Sequence, residues 1–213
     1  ILAQGLELDP ETWDETDKIE LAREIRKRTK PMVIAANKMD TPEAQANWEE
    51  ITTDPDYDHL SFVPASAHAE KALKNADDAG VVDYTPGESE FDVVGDVSGE
   101  QEAGLDQIAE FVDEYEGTGV QAALESAVFD VLGCIAVFPG SANGSKDEKG
   151  VFRDCFILPE GSTTEDFAYH IHSDIGEGLL HGTDCRSGRQ VGTDSELSHR
   201  DVIELVSTKQ AAP

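Results

Sequence analysis

Four consecutive residues, Asn37-Lys38-Met39-Asp40, carry the side chains in this sequence best suited to selective chemistry. A carboxylate accepts two adjacent N–H donors at once through charge-assisted bonds. Guanine presents such a pair, its N1–H and its exocyclic amino group, whereas adenine has an acceptor where guanine has N1–H. A site built for one pattern leaves buried groups unpaired with the other, so discrimination is strong. Asp40 fits that part. The Lys38 stem can lie flat along one face of a base. The Asn37 carboxamide can tie the loop to neighbouring backbone and approach the base edge. Ser66-Ala67 adds small residues, which let a backbone N–H approach the guanine carbonyl oxygen.

The surrounding pattern supplies elements that can position these groups. Met32-Val33-Ile34-Ala35-Ala36 is a short apolar run bounded by Pro31 and the polar tetrapeptide, and it reads as a buried parallel strand. Thr41-Pro42-Glu43 then opens a helix, with Thr41 as cap and Pro42 at the first position. Leu60 to Ala65 is a second short strand, ending at Ser66-Ala67 and leading into a helix through Ala79. This is βα alternation, the mark of an α/β sheet with helical crossovers. Ligands of such sheets bind at the carboxyl ends of the strands, where both polar loops lie. Residues 12–29 read as a helix capped by Thr12 or Asp14, with Arg26-Lys27-Arg28 in its last turn. Residues 80–99 form a long connection. Helices are expected over 100–115 and over 120–131, the second capped by Thr118, followed by a strand at 134–138 and a turn-rich stretch from Pro139 to Gly150.

The paired motifs resemble the guanine-specificity elements of the Ras-like GTPases. The last third of the chain narrows the resemblance. A strand over 151–158 leads to Leu158-Pro159-Glu160-Gly161-Ser162-Thr163-Thr164, then Asp166-Phe167-Ala168 and His172-Ser173-Asp174-Ile175-Gly176. With His199-Arg200-Asp201-Val202-Ile203, these resemble a TGS domain, a small α+β module of the β-grasp (ubiquitin-like) type. A GTPase domain followed by a TGS domain resembles the Obg-like superfamily, and within it the YchF group in its archaeal form. The resemblance implies three regions: residues 1–30 as the end of a helical insertion and its return helix, 31–138 as the C-terminal half of a G domain with linking helices, and 150–208 as the TGS domain. It also implies GTP as ligand, Mg²⁺ in the full-length protein only, a cytoplasmic setting, and a ribosome or RNA partner for the TGS domain. Arg186, Arg189 and Arg200 are the expected RNA contacts, weighed equally against a solvated charge set on a hairpin.

A GTPase also needs a P-loop, whose Gly-rich backbone and Lys hold the phosphates and whose Ser/Thr binds Mg²⁺. No GxxxxGK[ST] occurs. Gly140 to Lys146 is a decoy, one residue short and followed by Asp147. The DxxG stretches beginning at Asp77 and Asp96 both follow the guanine motif, which is the wrong order. In the family resembled here these elements lie upstream, and the abrupt apolar start Ile1-Leu2-Ala3 fits a missing N-terminal half. The chain alone is therefore expected to hydrolyse no GTP. The alternative is a non-catalytic β-grasp binding module acting in translation or stress regulation, with the α/β part as scaffold.

Composition bounds these readings. Sixteen basic residues against 45 acidic ones give a net charge of −29. The acids are scattered among patterned apolar segments rather than gathered in a tail, which fits a folded protein of a high-salt cytoplasm better than a disordered acidic one. Molar salt shortens the Debye length to about 3 Å and screens the repulsion. Bulk charge therefore does not exclude an RNA partner. No apolar stretch reaches the length of a membrane span. Cys134, Cys155 and Cys185 have no metal-binding spacing and read as reduced, buried thiols. The six histidines read as structural.

Overall fold

The computed structural model describes residues 13–57, 59–140, 152 and 154–209. The chain divides into two compact units, Ile1–Ala127 and Val128–Pro213.

The first unit opens with helix α1 (Glu15–Thr29). Asp14 caps it, accepting the Thr16 and Asp17 amides, while the Asp17 carboxylate takes the Asp14 amide in return. Strand β1 (Val33–Asn37), helix α2 (Pro42–Thr53) and strand β2 (Ser61–Ala65) follow. The strands pair in parallel with Val33 opposite Ser61 and Asn37 opposite Ala65. This is the βαβ unit expected from the alternation. Because the last residues of both strands are paired, the loops that follow emerge side by side.

Helix α3 (Ala67–Asp78) starts immediately after β2. The long connection is not bare: β3 (Val82–Asp83) and β4 (Asp92–Val93) form a short antiparallel pair. Helix α4 (Gly99–Tyr115) carries a capping box between Ser98 and Gln101. Met39, Leu73, Val82, Tyr84, Phe111 and Val112 are the heart of the core, so the guanine-type tetrapeptide itself contributes a core residue.

Helix α5 (Val120–Glu125) departs from expectation. Gly119, not Thr118, is its N-cap residue and no side chain caps it. The Thr118 hydroxyl instead donates to Glu70 at 2.6 Å. The helix ends at Glu125 and is continued by a π-helical turn over Ser126–Val131.

The second unit is one five-stranded sheet with a helix across it. Its strands are β5 (Cys134–Pro139), β6 (Phe156–Pro159), β7 (Leu179–Asp184), β8 (Gln190–Val191) and β9 (Asp201–Ser207), and helices α6 (Thr164–Ile171) and α7 (Ser173–Glu177) lie between β6 and β7. The order is β6-β5-β9-β7-β8, with β5 and β9 parallel and the other pairs antiparallel. First and last strands side by side, flanked by two hairpins, make the β-grasp arrangement. The strand at 134–139, grouped with the first region in the sequence reading, is the first strand of this sheet. Its Ile135 and Val137 pack with Leu158, Phe167, Leu197 and Ile203. The strand read over 151–158 begins at Phe156, while Phe152 stacks on Phe138 with centroids 4.6 Å apart. Most of the decoy glycine loop, residues 141–150, lies outside the described residues.

Thr163 caps α6. Its hydroxyl accepts the Asp166 amide at 3.2 Å and the Asp166 carboxylate takes the Thr163 amide at 2.8 Å. The capping contact is worth about 1 kcal/mol.

Gly119 offers a sharp test of the first unit's packing. It has φ 77°, and a Cβ there would stand 1.9 Å from the Pro64 carbonyl oxygen. Gly119→Ala is expected to cost about 3 kcal/mol or more by urea denaturation. Gly80→Ala is the control: φ is 69° with open space around it, and the expected cost is about 1 kcal/mol.

Candidate functional site

The in-register ends of β1 and β2 bring residues 37–40 beside residues 66–68. Asn37 joins the two loops. Its Oδ1 accepts the Lys38 amide at 2.9 Å and the Ala67 amide at 3.0 Å. Both lone pairs of that oxygen are thereby used, and the side-chain NH₂ keeps two donors for another partner. Met39 anchors the loop from within. Its side chain is 1% exposed, its amide donates to the Ala65 carbonyl at 3.1 Å, and its carbonyl accepts from Gln45 Nε2 at 3.2 Å.

Between these anchors Lys38 takes φ 70°. A left-handed non-glycine residue costs roughly 1–2 kcal/mol. Thr41 offsets this by donating its amide and its hydroxyl to the Lys38 carbonyl at 2.9 and 3.0 Å. The result is a short loop with its backbone tied down and the side chains of Lys38 and Asp40 exposed.

The second loop divides its tasks differently from expectation. Ser66 is fully buried, and its hydroxyl caps α3 by accepting the Ala69 amide at 3.1 Å. Its own amide donates to the Thr118 carbonyl at 2.9 Å. Ser66 is therefore a structural member of the pair. The Ala67 amide is held by Asn37. Among the described residues no protein acceptor takes the next amide, that of His68. Asp40, Ser66 and His68 also line one end of a cavity of about 710 Å³ that runs between α3 and α4.

Behind this loop sits a group the sequence reading did not single out. Glu70 is 7% exposed and accepts from Thr118 Oγ1 at 2.6 Å, Tyr84 OH at 2.8 Å and Gln121 Nε2 at 3.3 Å. Burial pushes the Glu70 carboxyl up. The three hydrogen bonds and the Lys74 charge together outweigh it and hold the pKa below the usual value of 4.5. One acid among 45 gives no signal in sequence. Its place one helical turn after a helix-capping Ser was the available clue.

In the second unit, the three arginines come to one end of the sheet. The Cys185 amide bonds the Val202 carbonyl at 2.9 Å, which sets the β7–β8 turn beside the start of β9. Asp184 shapes that turn by accepting from the Arg186 amide and the Ser187 hydroxyl. Arg200 has φ 69° and gives its amide to the Ala136 carbonyl at 2.7 Å, while His199 Nδ1 accepts the Ala136 amide at 3.2 Å. Arg186, Arg189 and Arg200 are all exposed. Among the described residues none of them forms an ion pair within 4.0 Å. His172 ends α6 and caps α7 by accepting the Asp174 amide. Of the cysteines read as buried, Cys155 and Cys185 are exposed. Among the described residues no three His, Cys, Asp or Glu side chains gather as a metal site.

Two family models match the chain, one to each part. A family described as "Obg-like GTPase YGR210-like, G4 motif-containing domain" matches residues 35–141. The chain belongs to the Obg-like GTPase family. A TGS domain matches residues 143–207. An uncharacterized GTP-binding protein of Methanocaldococcus jannaschii is 37% identical over 208 residues, covering 96% of this chain and 52% of that protein. A second, of Schizosaccharomyces pombe, is 32% identical over 170 residues, covering 72% of this chain and 40% of that protein. The crystal structure of a GTP binding protein from Pyrococcus horikoshii OT3 superposes with a TM-score of 0.61 at 33% identity, covering 97% of this chain and 54% of that one. The chain thus spans about half the length of these relatives. No helix among the described residues is long and apolar enough to cross a membrane.

The Glu70 cluster predicts a pH response. A carboxyl whose folded pKa lies below its unfolded value stabilises the fold above the unfolded pKa, and that contribution is lost as pH falls through the folded value. The stability of the first unit is expected to decline from about pH 4.5 downward. Glu70→Gln should flatten that limb in a pH series of urea melts.

Proposed function

We propose that the first unit recognises the guanine base of GTP and that the TGS domain docks on RNA, as part of an Obg-like protein of the translation machinery. The observation that carries the base reading is the Asn37 oxygen. It spends its acceptor capacity on holding two loops together, so the donors of Asn37 and the exposed side chains of Lys38 and Asp40 face one place. A guanine there has its N1–H and amino group on Asp40, one face on the Lys38 stem and its N7 within reach of the Asn37 NH₂. The open His68 amide takes the carbonyl oxygen. The family match to a G4 motif-containing domain and the GTP-binding relatives support this reading.

Affinity from the base alone is low, because the phosphates find no P-loop in this sequence. The chain is expected to release no phosphate from GTP, and calorimetry showing micromolar GTP binding would overturn the assignment of phosphate binding to other residues. Guanosine isolates the base contacts. Asp40→Asn is expected to reduce the preference for guanosine over adenosine roughly ten- to a hundredfold in NMR titrations in molar KCl, since a charge-assisted bond pair is lost. An unchanged preference sinks the Asp40 assignment.

The arginines carry the second half. Three exposed guanidiniums without ion pairs, in a chain of net charge −29, keep their charge available for phosphates. With a fluorescent RNA hairpin, each Arg→Ala at 186, 189 or 200 is expected to weaken binding and lower the salt slope by about 1. Slopes that stay at the wild-type value assign these residues to a solvated surface.

We read the acidic surface as adaptation to a cytoplasm rich in salt. On the same reading, α1 is the return of a helical insertion and a YchF-like arrangement accounts for the order of parts.

A further inference from the structure

We propose that Glu70 is a positioning residue for the Ser66-Ala67 turn, acting through Thr118; this rests on the reading of that turn as part of the base site. Glu70 stands one helical turn beyond Ser66 on α3, facing inward. Thr118, 1% exposed, is gripped at two points: its hydroxyl donates to Glu70 at 2.6 Å and its carbonyl takes the Ser66 amide at 2.9 Å. Both grips end on α3. The segment between α4 and α5 is thus clasped against the start of the helix that presents Ala67 and His68.

The clasped segment does not hold its shape by itself. Glu116, Gly117 and Gly119 take φ values of 55°, 130° and 77°. Gly119 lies against the Pro64 carbonyl so closely that no side chain fits. Left-handed backbone at Glu116 is disfavoured, so release of Thr118 lets the segment relax and takes the acceptor of the Ser66 amide with it. Only an ionised carboxylate offers two acceptor-only oxygens to three donors from three segments. An amide at this position can keep its oxygen on the two hydroxyls and turn its NH₂ toward the Gln121 carboxamide, but it loses the charge that strengthens both hydroxyl bonds. An apolar side chain fills the space without the desolvation cost but fixes no direction. Tyr84 and Gln121 complete the arrangement by holding the carboxylate itself, at 2.8 and 3.3 Å.

The test is amide hydrogen exchange by NMR on the whole chain, in molar KCl. Thr118→Val keeps the branched shape and removes the hydroxyl; Thr118→Ser keeps the hydroxyl. The expected result is exchange at Ser66 and Ala67 about tenfold faster in Thr118→Val and in Glu70→Gln, with Thr118→Ser within about twofold of wild type. Amides of α2 and of β9 should keep their wild-type rates. Uniform acceleration through the first unit, or no change at Ser66, overturns the positioning role. A parallel guanosine titration separates the two ideas. Weaker binding in Thr118→Val, restored in Thr118→Ser, supports the role. Failure of the wild type to bind guanosine sinks the base reading, and the exchange pattern still decides Glu70.

Discussion

One side-chain oxygen, Asn37 Oδ1, sets the geometry of the two loops that follow β1 and β2. It receives amides from residues 38 and 67, which are far apart in sequence and adjacent in space. That double acceptance requires the β1 and β2 ends to be level, and the parallel register supplies this. It also requires Lys38 to turn left-handed, and Thr41 supports that turn with two bonds. Met39 then enters the core while its neighbours stay in solvent. Rigidity and exposure, which usually oppose each other in a loop, are obtained together because one residue of the four is buried and another is cross-linked to the next loop.

Much of this was legible in the sequence. The apolar run from Met32 to Ala36, the Thr41-Pro42 start and the β-grasp order each have a short-range cause: strand composition, proline at a first helical position, capping residues. The tetrapeptide and Ser66-Ala67 could be paired because each follows a strand. The division of labour within them could not. Whether an amide is taken by a neighbouring side chain depends on a loop thirty residues away, so the hold of Asn37 on the Ala67 amide has no local signal. Thr118 shows the same limit. A Thr ahead of a helix reads as a cap, but a buried carboxylate from another helix competes for its hydroxyl and wins, since a charge-assisted bond in a dry site is the stronger one.

The acids of this chain divide into two very different populations. Among the described residues Glu70 is the only buried charged side chain. Its ionisation is maintained by three donors and the Lys74 charge, which outweigh the effect of burial. The others among the described residues are exposed or half-buried. Bulk charge thus says little about the interior.

The pairing of β5 with β9 has a consequence of another kind. In the second unit the first and last strands are the ones that lie side by side at the middle of the sheet. Chain entropy must be lost over nearly the whole unit before that pair forms, and such distant pairings slow folding. During synthesis, which runs from the N-terminus, β5 and β6 emerge with an exposed edge that stays open until β9 has been made. The apolar face carrying Ile135, Val137 and Leu158 waits with it. For a nascent chain this is the stretch most open to wrong partners, and its closure is set by when its last strand arrives.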